Sequence, residues 1–171
     1  ANDSAYSNSN AGFLLNRTRR QNITNSTAYG NVFGIWLLDT NQSRLLNNSI
    51  HDNPYGILVT SNNNIVTQDN ITRNSIYNNA QAGITMESQA SYWCDAALYN
   101  NTIVGNYYGI WLPTGFFTAN LTNNTIANST VAGYQYDNYF GGNILLNRDT
   151  FQGNPKDIDF PSGGSAITLS I

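Results

Sequence analysis

Apolar residues in this chain fall in short alternating runs, each introduced by a glycine, and the runs recur along its length. They read Gly12-Phe-Leu-Leu, Gly34-Ile-Trp-Leu, Gly56-Ile-Leu-Val, Gly83-Ile-Thr-Met, Gly109-Ile-Trp-Leu and Gly133-Tyr-Gln-Tyr, spaced by 22, 22, 27, 26 and 24 residues. Alternation with a period of two predicts strands, with Ile35 and Leu37, Ile57 and Val59, Ile84 and Met86, and Ile110 and Leu112 on one face. Recurrence at a fixed spacing predicts a solenoid, because one such unit cannot bury its own apolar face and a stack of them can.

A second landmark keeps step with the first: Asn48-Ser49-Ile50, Asn74-Ser75-Ile76, Asn101-Thr102-Ile103 and Asn124-Thr125-Ile126. A closing asparagine follows at Asn53, Asn79, Asn106 and Asn154, with Ser129 in that place once and Asn31 closing the first coil. Each coil therefore carries at least two strands, and asparagines in equivalent places can stack into hydrogen-bonded ladders. The expected fold is an all-β, single-stranded right-handed parallel β-helix of about six coils stacked ~4.8 Å apart. It forms one domain over 1–171, with coils over about 12–154 and a tail, 155–171, whose strand is 166–171. The glycines are expected where the chain turns sharply into a strand.

Composition supports this reading and removes others. Asparagine occurs 29 times while lysine and glutamate occur once each, which disfavours helix. Aromatic content of 12% argues against disorder. With 10% charged residues and a net charge of −3 there is no basic footprint for nucleic acid, and Arg17, Arg19 and Arg20 read as a solvated turn. No apolar run approaches the ~20 residues of a membrane span. Cys94, the only cysteine, cannot form an intramolecular disulfide and reads as a buried, inert thiol. The start at Ala-Asn-Asp reads as a secreted product whose signal peptide has been removed, so the expected location is extracellular or at the cell surface.

The Asn-Asn-Thr-Ile and Tyr-Gly-Ile phrases resemble the parallel β-helix repeats of the carbohydrate-binding and sugar-hydrolase group, its NosD-like branch above all, from residue 12 to about 154. The resemblance implies the fold. For function it implies a wide range, since such coils serve polysaccharide lyases, phage tailspikes, periplasmic accessory proteins and archaeal surface proteins. No catalytic motif of these families aligns, so no enzymatic activity, metal or cofactor is expected.

Candidate chemistry is sparse. Asp39 and Glu87 follow coil glycines at similar phase, two coils or about 9.6 Å apart, which suits an inverting glycosidase pair; turn capping is the preferred reading. The nearest basic–acidic pair is Arg148 with Asp149. His51 is expected to point outward at a turn, a poor metal site. Asp157 and Asp159 alternate in a stretch that reads as a solvated terminus rather than a weak calcium site. Alternation turns Trp36 and Trp111 outward with Leu14, Leu38 and Leu58, a row suited to stacking sugar rings or contacting another subunit unless loops at 88–97 or 113–119 cover it.

Eleven Asn-X-Ser/Thr sequons, at Asn2, Asn16, Asn22, Asn25, Asn41, Asn47, Asn70, Asn100, Asn120, Asn123 and Asn128, are about twice the number chance gives. Asn47, Asn100 and Asn123 are expected to face out and carry N-glycan. The tail residues Ala166, Ile167, Thr168, Leu169, Ser170 and Ile171 alternate like a strand seeking an edge. They either fold back on their own solenoid or add to the next subunit, giving a head-to-tail homopolymer. The leading expectation is a glycosylated structural subunit of a surface filament or layer. The alternative is a polysaccharide-binding or polysaccharide-cleaving protein acting through Trp36, Trp111, Asp39 and Glu87. A third reading makes the chain part of a longer adhesin or NosD-like protein.

Overall fold

The computed structural model describes residues 2–63, 67–89, 92–137 and 142–160, and the backbone of 167–170. The chain winds through three parallel sheets of seven strands each, so six full turns separate first strand from last. Sheet one holds Ser4–Tyr6, Thr27–Tyr29, Ser49–His51, Ser75–Tyr77, Thr102–Val104, Thr125–Ala127 and Thr150–Gln152. Sheet two holds Ala11–Asn16, Phe33–Leu38, Tyr55–Ser61, Ala82–Ser88, Tyr108–Leu112, Ala132–Tyr136 and Ile158–Asp159. Sheet three holds Asn22–Thr24, Arg44–Leu46, Thr67–Thr72, Trp93–Tyr99, Phe116–Thr122, Gly142–Asn147 and Ile167–Ser170. The solenoid thus begins at Ser4, ahead of Gly12, and its second sheet runs past 154 to Asp159. Both end segments are too short to show an alternating run.

The core is a set of like-on-like stacks. Ile50, Ile76, Ile103 and Ile126 are in register in sheet one. Phe13, Ile35, Ile57, Ile84, Ile110, Tyr134 and Ile158 stack in sheet two. Ile23, Leu45, Ile71, Leu98, Leu121 and Leu146 stack in sheet three. The central members of each stack are fully buried, and each such side chain contributes about 1.5–3 kcal/mol relative to exposure.

Two asparagine ladders run beside these stacks. In one, Ser26, Asn48, Asn74, Asn101, Asn124 and Asp149 are bonded in sequence. In the other, Asn8, Asn31, Asn53, Asn79 and Asn106 do the same, and Ser129 then bonds to Asn154. Each asparagine-to-asparagine rung places a side-chain carbonyl under the backbone N–H and side-chain amide of the coil before it, satisfying polar groups that the turns leave buried.

The repeat glycines have a different reason from the expected one. None of the six introducing the runs has positive φ. At Gly56 an added Cβ would lie 2.4 Å from the Gly83 carbonyl oxygen and 2.9 Å from Asn79 Nδ2. They are required by the close approach of the next coil. The sharp left-handed turns fall instead on residues such as Asn25, Asn47, Asn100 and Asn123, with φ of 51°, 56°, 54° and 56°.

The tail strand pairs in parallel with its own solenoid, Ile167 opposite Gly142 and Ser170 opposite Leu145. Ala166 and Ile171 lie outside the described residues.

Candidate functional site

On the outer side of sheet two, Leu14, Trp36, Leu58, Thr85, Trp111 and Gln135 form one column along the solenoid. Phe33, Tyr55, Ala82, Tyr108 and Ala132 form the next. The Ala82–Ser88 strand carries small residues, Ala82 and Thr85, where the strands flanking it carry Tyr55 and Tyr108, Leu58 and Trp111. A cleft of about 240 Å³ results, lined by Phe33, Tyr55, Leu58, Thr85, Glu87, Trp111, Pro113 and Thr114.

Its walls are aromatic and held in place. The Tyr55 and Trp111 rings lie nearly parallel with centroids 6.5 Å apart, and Phe33 packs on Tyr55 at 5.5 Å. Tyr108 supports Trp111 at 5.4 Å. Trp111 Nε1 donates to Asp137 Oδ2 at 2.8 Å, and Gln135 Nε2 donates to Asp137 Oδ1 at 2.5 Å, so the indole is fixed from behind. Trp36 lies outside the lining; its Nε1 donates to Thr60 Oγ1 at 2.9 Å.

The polar groups of the cleft are under-used. Thr85 is 2% exposed and its Oγ1 has no hydrogen-bond partner among the described residues. Glu87 is half-buried and makes no hydrogen bond or ion pair among the described residues, while burial pushes its carboxyl above the ordinary 4.5. Buried polar atoms are normally paired, so an acceptor and a carboxyl left open beside three rings mark a surface shaped for something with hydrogen-bond donors and an apolar face.

The alternative of a carboxylate pair is not realised. Glu87 is in register with Thr60, and Thr60 with Leu38, leaving Asp39 one position out of phase. Asp39 is 1% exposed, sits at φ 51° and accepts from Asn62 N at 2.6 Å and from Asn63 Nδ2, with Arg17 Nε 3.7 Å away. It ties its turn to the corresponding turns of the coils on either side. Leu58, expected on the exposed row, is 5% exposed because it floors the cleft, whereas Leu14 is 46% exposed. Of the expected covering loops, the strands Trp93–Tyr99 and Phe116–Thr122 take most of the length, and Pro113 and Thr114 wall the cleft rather than cover it.

The other candidates have structural duties. Asp149 ends the first ladder, accepting from Asn124 N and Nδ2 at 2.8 and 2.7 Å. His51 points outward but is sandwiched in a column with Tyr29 and Tyr77, at 5.3 and 4.7 Å, and its Nδ1 lies 2.8 Å from Asp52 Oδ2. Asp157 accepts from Asn154 Nδ2 at 3.2 Å, and Asp159 pairs with Lys156 at 2.7 Å. Cys94 is fully buried, which pushes its thiol far up from its ordinary value. A second, polar hollow of about 210 Å³ lies on the outer side of sheet three among Gln68, Asn70, Asp95, Ala97, Thr118 and Asn120.

Among the sequon asparagines, Asn2, Asn16, Asn22, Asn25, Asn47, Asn100, Asn123 and Asn128 are exposed, while Asn41, Asn70 and Asn120 are half-buried. The Asn70 carboxamide accepts from the Thr72 hydroxyl.

Sequence reasoning found Trp111 and Glu87 but missed Phe33, Tyr55 and Thr85. The signal was the small-for-large exchange at Ala82 and Thr85, legible only once the coils are aligned.

Three parallel sheets joined coil after coil define a single-stranded parallel β-helix. Residues 1–126 match the family described as right handed beta helix region, and the chain belongs to that family. No curated protein matches the chain, and no solved structure matches it.

Proposed function

We propose that this β-helix is an extracytoplasmic carbohydrate-binding protein that holds a saccharide in the cleft on sheet two without cleaving it. The observation that carries the reading is the meeting of Tyr55, Trp111 and Phe33 rings with the unpaired Thr85 hydroxyl and Glu87 carboxyl. Sugar rings present C–H faces to aromatic rings and hydroxyls to acceptors, which suits this combination. Binding rather than hydrolysis is favoured because a glycosidase needs two free carboxylates across the bond. Asp39 is locked in its turn, and both oxygens of Asp137 are occupied by Trp111 and Gln135. A glycan array probed with the wild type, Trp111→Ala and Trp36→Ala tests the reading. Retention of an oligosaccharide that is lost in Trp111→Ala and kept in Trp36→Ala supports it; an array on which no saccharide is retained sinks it.

A second reading, a glycosylated subunit that assembles into a surface filament or layer, draws on two observations. The first strands Ser4–Tyr6, Ala11–Asn16 and Asn22–Thr24 are each paired on one side only within the chain, and open strand edges favour pairing with another copy. Asn25, Asn47, Asn100 and Asn123 lie exposed at one corner, where glycan would not obstruct stacking of coils. In this reading copies stack end to end and the tail stays on its own sheet. Negative-stain microscopy of the chain beside a copy lacking residues 166–171 checks it: filaments are expected, and single particles in both samples count against assembly.

A further inference from the structure

We infer that the sheet-two cleft selects saccharides carrying a free, positively charged amino group over neutral and acidic ones, through the juxtaposition of the Glu87 carboxyl with the Tyr55 and Trp111 rings. The inference rests on the carbohydrate-binding reading and adds the charge class of the ligand.

The first step is charge balance. In the column that contains Glu87, its neighbours on the preceding coils are Thr60 and Leu38. Pro113 and Thr114 complete that side of the cleft. None of these is a cation. The ion pairs among the described residues are Arg17 with Asp39 and Lys156 with Asp159, and the His51 ring is hydrogen-bonded to Asp52, so no basic side chain is committed to Glu87. A carboxylate partly removed from water without a counter-charge is costly, and a cation brought by the ligand removes that cost.

The second step is the rings. Tyr55 and Trp111, from the strands on either side of the Ala82–Ser88 strand, line the same cleft as Glu87. Aromatic faces attract a cation within about 6 Å of the centroid, tryptophan most strongly. An ammonium group offers three N–H donors, and the cleft supplies two kinds of acceptor for them, the Glu87 carboxylate and the buried, partnerless Thr85 Oγ1. Thr85 is itself an unpaired polar side chain 2% exposed at this cleft, an observation independent of Glu87.

The third step is exclusion. A neutral or acetylated amino sugar would cover Glu87 further and leave its charge unanswered. An acidic sugar would add a like charge beside it. The predicted order is therefore amino sugar first, acetylated amino sugar second, uronic acid last, an order set by one residue.

Calorimetric titration of the whole chain with hexamers of glucosamine, N-acetylglucosamine and galacturonic acid, in dilute near-neutral buffer, tests this. The wild type is expected to bind the glucosamine hexamer about tenfold or more tightly than the acetylated one, a difference of about 1.4 kcal/mol. In Glu87→Gln, which keeps the side chain's shape, that preference should vanish. Asp3→Asn, an exposed carboxylate removed elsewhere, controls for net charge and should keep the preference. Equal affinity for the two amino-sugar hexamers in the wild type overturns the inference and leaves carbohydrate binding standing. A preference that survives Glu87→Gln overturns it as well, by placing the charge recognition elsewhere. Failure of all three hexamers to bind overturns the inference, and an array that also shows no retained saccharide removes the underlying reading with it.

Discussion

Asn48 and Asn74 stand one coil apart, with Nδ2 of the first donating to Oδ1 of the second at 2.9 Å while the Asn48 backbone N–H donates to the same oxygen at 3.0 Å. Asn74 Nδ2 in turn reaches the Leu45 carbonyl and Asn101 Oδ1, both at 3.1 Å. Its removal strands partners in the coils on both sides at once. Asn74→Ala is expected to cost about 3–5 kcal/mol, since each buried group left unpaired costs about 1–3 kcal/mol. Denaturant unfolding followed by circular dichroism measures this, and a loss under about 1 kcal/mol would show the ladder to be an ornament of the turns.

The second ladder has a gap that can be filled. Ser129 Oγ is buried without a partner among the described residues, and its short side chain does not extend the asparagine series that runs from Asn31 to Asn106. Ser129→Asn restores an acceptor below Asn106 and a donor above Asn154. The expected gain is about 0.5–1.5 kcal/mol, read as a higher unfolding midpoint; an unchanged or lower midpoint contradicts the gap.

Close approach of the coils, rather than turning, explains the repeat glycines. Gly56→Ala is therefore expected to lose about 1–3 kcal/mol or more through overpacking against the Gly83 carbonyl and Asn79. Were the glycine needed only for a loose turn, thermal melts of the variant and the wild type would coincide.

Three carboxyls carry a pH signature. Burial raises the pKa of Asp69 and Asp95 above 3.8 and that of Glu87 above 4.5; for Asp95 the bonds from the Thr118 side chain and backbone offset part of the rise. In the window above those ordinary values the unfolded chain releases its protons first, so the folded state holds more protons and stability falls as pH rises. Asp95 Oδ1 has no hydrogen-bond partner among the described residues. Asp95→Asn should flatten the decline between about pH 4 and pH 7 and be more stable than wild type at the upper end. Parallel curves for the two proteins across that range contradict the assignment.

The fold is written in the sequence because a solenoid repeats its instructions. Ile57 and Ile84 are in register as their common distance from a glycine requires, and Asn48, Asn74, Asn101 and Asn124 are buried as their place beside an isoleucine requires. Where the repeat is not uniform the reading drifts. Asp39 stands five residues after its coil glycine and Glu87 four after its own, so Glu87 falls in line with Thr60 and Leu38 and not with Asp39. Trp111 was visible as an outward residue by alternation within its own strand. The cleft was not, because it depends on Ala82 and Thr85 lying between larger side chains contributed by two other coils. Leu58 shows the same dependence: outward by alternation, it is buried by what stands on the neighbouring strands.

The most direct test of the central claim reports from inside the cleft. Trp36→Phe combined with Trp93→Phe leaves Trp111 as the sole tryptophan, and its emission can be followed as the best oligosaccharide from the array is added. The account predicts a saturable change in Trp111 emission whose midpoint equals the calorimetric one. Calorimetric binding with the Trp111 emission unmoved would place the ligand away from sheet two and contradict it.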